Sequence, residues 1–325
     1  MHKATFQPSR RTALGILGAA LVLPRTAFGA ELTTLTGRAF GTTWRLVAPT
    51  RSTLETVRNA IESLFVGVDQ TFSPWRSDSV ISRFNTLPAD LPVQDKDLAF
   101  VTLAALNIAR LSHGAFDPTV GPLVARWGFG PIHKGGAPDW HGLRAGLDTV
   151  RKTRDDLTLD LCGIAKGWAL DMAATRVQAA GIESFLFELG GEVLARGLHP
   201  DGRAWRVAVD TPDSFTGARP AIRLPPGAAV ATSGQWVQGY QLADRLYGHI
   251  IDPTTAQPVA GALRSVTVVA GNAMSADGWA TALCAAGSEA GPDLARSQGL
   301  AALFLIETAG VLRTVATSPL RELLL

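Results

Sequence analysis

The chain has 325 residues, 46% hydrophobic and 18% charged, enough for one large domain or two modest ones. Two cysteines and no CxxC exclude a zinc site built from thiolates alone, so the fold has to stand on its apolar core. The formal charge of +2 rests on the first residues: removing Lys3, Arg10, Arg11 and Arg25 from the 30 basic residues leaves 26 against 28 acidic. Nothing in that balance marks a nucleic-acid surface.

Residues 1–30 read as an export signal. Paired Arg10 and Arg11 precede an apolar run from Ala13 to Leu23, and small residues follow at Ala27–Ala30. The twin arginines point to the twin-arginine translocase, which carries proteins already folded, and so to a periplasmic product. The run is short for a bilayer and no cysteine lies near the cleavage region, so neither a permanent membrane anchor nor a lipid is expected.

Residues 31–325 are then expected to form one catalytic domain. A strand pair (TLTGRAF, TTWRLVAP) comes first, then an amphipathic helix near 52–68 and a second helix over 94–112. A Gly/Pro-rich loop spans 128–146. In LDLCGIAKGWALD (159–171) a strand LTLDL is expected to break at Cys162-Gly163. A helix starts there, carries Ile164, Trp168, Ala169, Met172, Ala173 and Val177 on its apolar face, and stops at Gly181. SFLFEL, EVLAR, WRVAV, AIRL, AAVATS, GHIID and RSVTVVAG read as strands, AMSADGWATALCAAG as a helix, and AALFLIE and VLRTVA as closing strands. Hairpin-rich strands broken by a few long helices predict an α+β fold with antiparallel sheets.

Four polar clusters could carry chemistry. His113 and Asp117 sit in HGAFDPTVGPL, where Asp-Pro also suits a plain turn. Asp160, Lys166 and Asp171 surround a strand-to-helix turn, a place suited to anions, although Lys166 also fits a solvated helix face. GHIIDPTT holds His249 and Asp252, and such a histidine can simply be packed. In SADGWATAL, Asp277 and Thr281 are four residues apart, so a carboxylate and a hydroxyl share one helix face. They could be hard ligands for Mg²⁺ or only a capping or surface pair.

In this order the clusters resemble the ApbE family of FAD:protein FMN transferases, over about Gly37 to Val315. The stations are GRAFGTTW, FSPWRSDSVISRFN, HGAFDPTVGPLVARWGFGP, LDLCGIAKGWALD, FELGGEV, WRVAVDTP, AVATSG, GHIIDPTT and SADGWATAL. The resemblance implies Mg²⁺-dependent cleavage of FAD and attachment of FMN, by a phosphoester bond, to a threonine of an acceptor protein. By the same resemblance, Asp160 and Lys166 contact the flavin nucleotide, and the Gly163 carbonyl with Asp277 and Thr281 holds the metal. Phe40, Trp75, Ala115, Phe116, Asp117 and Ile251 match flavin-contacting positions, and His249 matches a base for the acceptor hydroxyl. Three features depart from the pattern: Ala256 where glycine is usual, Gly278-Trp279 between the metal ligands, and a shortened 128–160 region. A maturation factor that binds FAD without transferring it, for example for a nitrous oxide reductase system, is the alternative. A flavin oxidoreductase is disfavoured because no GxGxxG follows a strand. Cys162 and Cys284 are expected to lie near the metal ligands as free, buried thiols.

Overall fold

The computed structural model describes residues 31–50, 54–211, 219–235, 239–242, 245–308 and 310–325, and the expected export signal lies outside them. Strands β1 (Leu32–Ala39) and β2 (Thr42–Pro49) form the predicted hairpin. Helices α1 (Glu55–Phe72) and α2 (Val80–Thr86) follow, then β3 (Val93–Gln94), α3 (Lys96–Leu111) and the short α4 (Gly121–Arg126). The expected loop after α4 is irregular until a turn at Trp140–Gly142 leads into β4 (Leu143–Ala145) and β5 (Thr149–Lys152).

Helix α5 (Ala165–Ala179) starts where the sequence predicts and buries Trp168, Ala169, Ala173 and Val177. Gly181 ends it: its φ of 82° is a left-handed conformation, and its N–H donates to the Gln178 carbonyl at 2.9 Å. Next come β6 (Phe185–Leu189), β7 (Glu192–Arg196), β8 (Trp205–Ala208), β9 (Ala221–Leu224) and β10 (Ala229–Gly234). A small hairpin, β11 (Gly239–Leu242) with β12 (Arg245–Gly248), precedes β13 (Ile251–Asp252) and β14 (Gln257–Pro258). GHIID is therefore not one strand: Gly248 ends β12, and Ile251 and Asp252 form β13. The chain closes with β15 (Leu263–Ala270), α6 (Ala273–Ser297), β16 (Ala301–Thr308), β17 (Val311–Ala316) and α7 (Ser318–Arg321).

Eight strands form one antiparallel sheet in the order β1-β2-β6-β7-β10-β15-β16-β17. The fold is α+β, as the hairpin pattern predicts. Period-two alternation sorts the side chains of the central strands onto two faces. Leu194, Ala229, Ala231, Ala302 and Phe304 face α5 and α6 in the main core. Val193, Ala195, Val230 and Leu303 face a smaller core closed by β8, β9 and α7. The site grows on the helix face of this sheet.

Candidate active site

LTLDL is not a strand. Residues 157–161 carry no regular secondary structure, and no backbone ladder flanks them. Side chains take that role. The Leu159 N–H donates to Asn85 Oδ1 at 2.7 Å, and Asn85 Nδ2 donates back to the Leu159 carbonyl at 3.0 Å. Lys152, almost fully buried, donates to the carbonyls of Asn85 and Asp155 at 3.1 Å and of Leu157 at 2.8 Å. The apolar alternation of Leu157, Leu159 and Leu161 mimics a strand because each of them enters the core. At the end of the segment Asp160 Oδ1 accepts the Cys162 N–H at 3.0 Å and turns the chain into α5.

Here α5 meets α6. Asp171 of α5 accepts the first two N–H groups of α6, from Ala273 at 2.8 Å and Met274 at 2.9 Å. Asn272 caps the same end by accepting from Ser275 at 2.7 Å. Gly167 makes the close approach possible, since a Cβ there would lie 2.3 Å from the Ala273 carbonyl oxygen. The Gly167 N–H donates to Asp277 Oδ2 at 2.9 Å. One turn on, the Thr281 hydroxyl donates to the Gly163 carbonyl at 3.3 Å and lies 3.3 Å from Ser233 Oγ. Trp279, between the two predicted ligands, is buried, and a Cβ on Gly278 would meet Ile108 at 2.5 Å. The unusual Gly-Trp pair is thus a packing solution that leaves Asp277 and Thr281 on the site side.

The Gly163 carbonyl and Thr281, 118 residues apart in the chain, therefore meet, and Asp277 lies one turn before Thr281 on the same helix. A carbonyl, a hydroxyl and a buried carboxylate are hard oxygen donors of the kind Mg²⁺ takes. Among the described residues no three His, Cys, Asp or Glu side chains gather to hold a metal. A set with a single carboxylate leaves the remaining positions of such an ion to water or to substrate oxygens, which is how Mg²⁺ is commonly held. The residues present fit the ion.

The electrostatics are concentrated. Burial pushes the Asp277 carboxyl up, while Lys166 and the Gly167 N–H pull it down. Lys166 is not on a solvated face: its ammonium pairs with Glu192, whose side chain is only 4% exposed. Burial pushes Glu192 up to about 7, against the pull of Lys166, and the charge of Asp277 adds to the rise. Lys166 stays a cation, its pKa lowered by burial but raised more by Glu192 and Asp277.

The HGAFDP loop closes over this cluster. The Phe116 ring packs on Gly163, whose missing Cβ would lie 3.3 Å from it, and Ala115 is beside it, half-buried. The Asp117 carboxylate organises its own turn, accepting from Thr119 N at 2.8 Å and Thr119 Oγ1 at 2.6 Å. Asp160 reaches the same loop through its N–H, which donates to the Pro118 carbonyl at 2.7 Å. Phe40 sits at the β1–β2 turn with its ring edge on Phe65, and the neighbouring Thr42 packs on Gly190, against which Lys166 also lies. Trp75 is 65% exposed, and no described contact joins it to the cluster. Ile251 is buried in β13.

His249 follows β12, where Gly248 packs on Gln235, two residues beyond Ser233. β10 thereby connects the Thr281 contact to the neighbourhood of His249. The imidazole meets Phe129 edge-on at 6.3 Å and ends a ladder of stacked rings, Trp127–Tyr247, Tyr247–Tyr240 and Tyr240–Phe129, spaced 5.4 to 5.6 Å. Neither this ladder nor Glu192 and Ser233 stands out in the sequence. The signal for Glu192 was its parity with Leu194 on β7, which places it on the helix face. Both cysteines are free; Cys284 is buried as expected, but Cys162 is exposed, because the turn at Asp160 lifts it out of the core.

The antiparallel α+β fold is that of solved flavin transferases. The flavin transferase ApbE from Vibrio cholerae superposes with a TM-score of 0.82 at 33% identity, covering 90% of this chain and 99% of that one. The apo flavinyl transferase ApbE of Pseudomonas stutzeri gives 0.82 at 32% identity, covering 92% and 98%. The FAD:protein FMN transferase of Klebsiella pneumoniae is 34% identical over 314 residues, 90% of this chain and 89% of that protein. The profile of the ApbE family matches residues 40–304, and the chain belongs to that family.

Proposed function

We propose that the chain cleaves FAD and transfers FMN to a threonine hydroxyl of an exported acceptor protein, releasing AMP. The observation that carries this reading is the convergence of the Gly163 carbonyl, Thr281 and buried Asp277 beside a paired Lys166, in a chain whose relatives bear the transferase name. Gly163, Asp277 and Thr281 would hold Mg²⁺, which when bound supplies positive charge against a pyrophosphate. Lys166 binds a phosphate oxygen, and Asp160 contacts the flavin nucleotide from the turn. Phe40, Trp75, Ala115, Phe116, Asp117 and Ile251 shape the flavin pocket. His249 takes the proton of the threonine hydroxyl, an imidazole being suited to that work near neutrality. The alkoxide oxygen bonds to the FMN phosphorus while the bond to the bridging oxygen breaks, and AMP leaves with the electron pair. Export through the twin-arginine translocase would put the enzyme and its acceptor in the periplasm. Changing Arg10 and Arg11 to lysine should then hold the precursor in the cytoplasm, and undiminished periplasmic protein on fractionation would overturn that route.

The deciding experiment incubates residues 31–325 with FAD, Mg²⁺ and a candidate acceptor domain and measures intact mass. A gain of one FMN on one threonine, slowed about 10²–10⁴-fold in His249→Ala with FAD binding intact, is the expected result. FAD bound tightly with no mass gain on any acceptor would make the chain a carrier instead.

A further inference from the structure

Glu192 opens β7 directly after the Gly190–Gly191 turn, with its side chain on the helix face opposite the first turn of α5. Its Oε1 pairs with the Lys166 ammonium. Its Oε2 is buried and has no hydrogen-bond partner among the described residues. A buried carboxylate oxygen without a donor is a costly defect, and native structures usually keep one only where something else completes it.

We propose that Oε2 of Glu192 is a substrate contact that accepts a hydrogen bond from a ribityl or ribose hydroxyl of the bound dinucleotide. The inference rests on the flavin-nucleotide reading above and deepens it. Lys166 carries the charge that complements a phosphate, and Glu192 shares its position. The donors that flank the pyrophosphate of FAD are sugar hydroxyls, whereas its ring N–H groups lie at the two far ends of the molecule. A second cation at Oε2 is disfavoured because the Lys166 ammonium occupies the other oxygen of the same carboxylate. Glu192 thus does two things: it aims Lys166 and it reads the sugar beside the phosphates that Lys166 binds.

The test titrates residues 31–325, in a chelator so that no turnover occurs, with FAD and with analogues each lacking one ribityl or ribose hydroxyl. Flavin fluorescence reads the affinity. One deoxy analogue should bind wild type about tenfold or more weakly than FAD, as a hydrogen bond to a charged acceptor implies. Glu192→Gln keeps the size and an oxygen for Lys166 but presents an amide N–H₂ where Oε2 stood. In it FAD should bind about tenfold more weakly, and the gap between FAD and that analogue should close to within about twofold. Glu192→Ala, with both oxygens gone, should close the same gap. A Glu192 that only supports the fold would weaken FAD and analogue alike. An unchanged gap in both variants, or wild-type affinities indifferent to every hydroxyl, overturns the proposal. FAD binding with the expected pattern but without FMN transfer to any acceptor would sink the transferase reading and leave this contact standing.

Discussion

Ala256 shows how a single residue can be read twice. The resemblance flags it only as an alanine where glycine is usual, and the structure gives the physical reason: its φ is 56°, in the left-handed region. The turn holds it there, with its N–H on the Asp252 carbonyl at 2.9 Å and its own carbonyl taking the Trp127 indole N–H at 3.1 Å. Ala256→Gly should therefore raise stability by a few tenths to ~1 kcal/mol, since relief of the strain outweighs the extra freedom of the unfolded chain. A lower midpoint in urea would contradict it. Asp277 asks for a gentler change than alanine, because its carboxylate also accepts the Gly167 N–H and truncation would leave that donor buried and unmet. Asp277→Asn keeps the volume and one acceptor oxygen. It should cost on the order of 10²-fold or more in FMN transfer while leaving the melting temperature within a few degrees. Near-wild-type transfer in saturating FAD would remove Asp277 from the metal set. In LDLCGIAKGWALD the roles of single residues were only partly legible. The strand-to-helix turn suits an anion and the family resemblance alone gives Lys166 its ligand, but nothing in the segment reveals that Asp171 is a cap for a helix 102 residues away.

Among the elements, α5 and α6 were legible in type and start, because apolar spacing and a glycine stop are local signals. LTLDL was misread for an equally local reason: alternating leucines look the same whether the partner is a strand or the side chain of Asn85. Nothing near 157–161 in sequence reports that partner. The contact between α5 and α6 was also hidden, since it depends on an absent atom. Gly167→Ala would drive a Cβ into the Ala273 carbonyl and to 2.8 Å from Asp277 Cβ. The helices must separate, so the variant should lose ~1–3 kcal/mol of stability, and FMN transfer should fall with it. Full activity with an unchanged unfolding midpoint would show that α5 has room to move.

For the molecule as a whole, hairpin patterning was enough to predict an antiparallel α+β fold, but strand order was not readable, because β2 pairs with β6 far along the chain, Arg45 opposite Glu188. The two-faced sheet concentrates its buried charge on one side, and this sets a pH dependence. Glu192 titrates at about 7 in the folded chain against 4.5 ordinarily. Its folded pKa is raised, so the native state binds the extra proton between those values, and stability attributable to this group falls as pH rises through that window. The unfolding free energy of Glu192→Gln minus that of wild type should climb from pH 4.5 to about 7 and level off above, by up to a few kcal/mol at ~1.4 kcal/mol per pH unit. A flat difference across the window would show that Glu192 is not desolvated. The cage around Lys152 has a consequence of another kind. Its amine is spent on three carbonyls inside the protein, while Lys96 and Lys134 stand in solvent. An amine-reactive ester should modify Lys96 and Lys134 within its own reaction time but reach Lys152 only when the 152–161 segment opens. The lag of Lys152 behind Lys134 in a mass-resolved time course is then a clock for the breathing of the loop that carries the site. Bound FAD should lengthen that lag by the factor 1 + [FAD]/Kd, the inverse of the unliganded fraction.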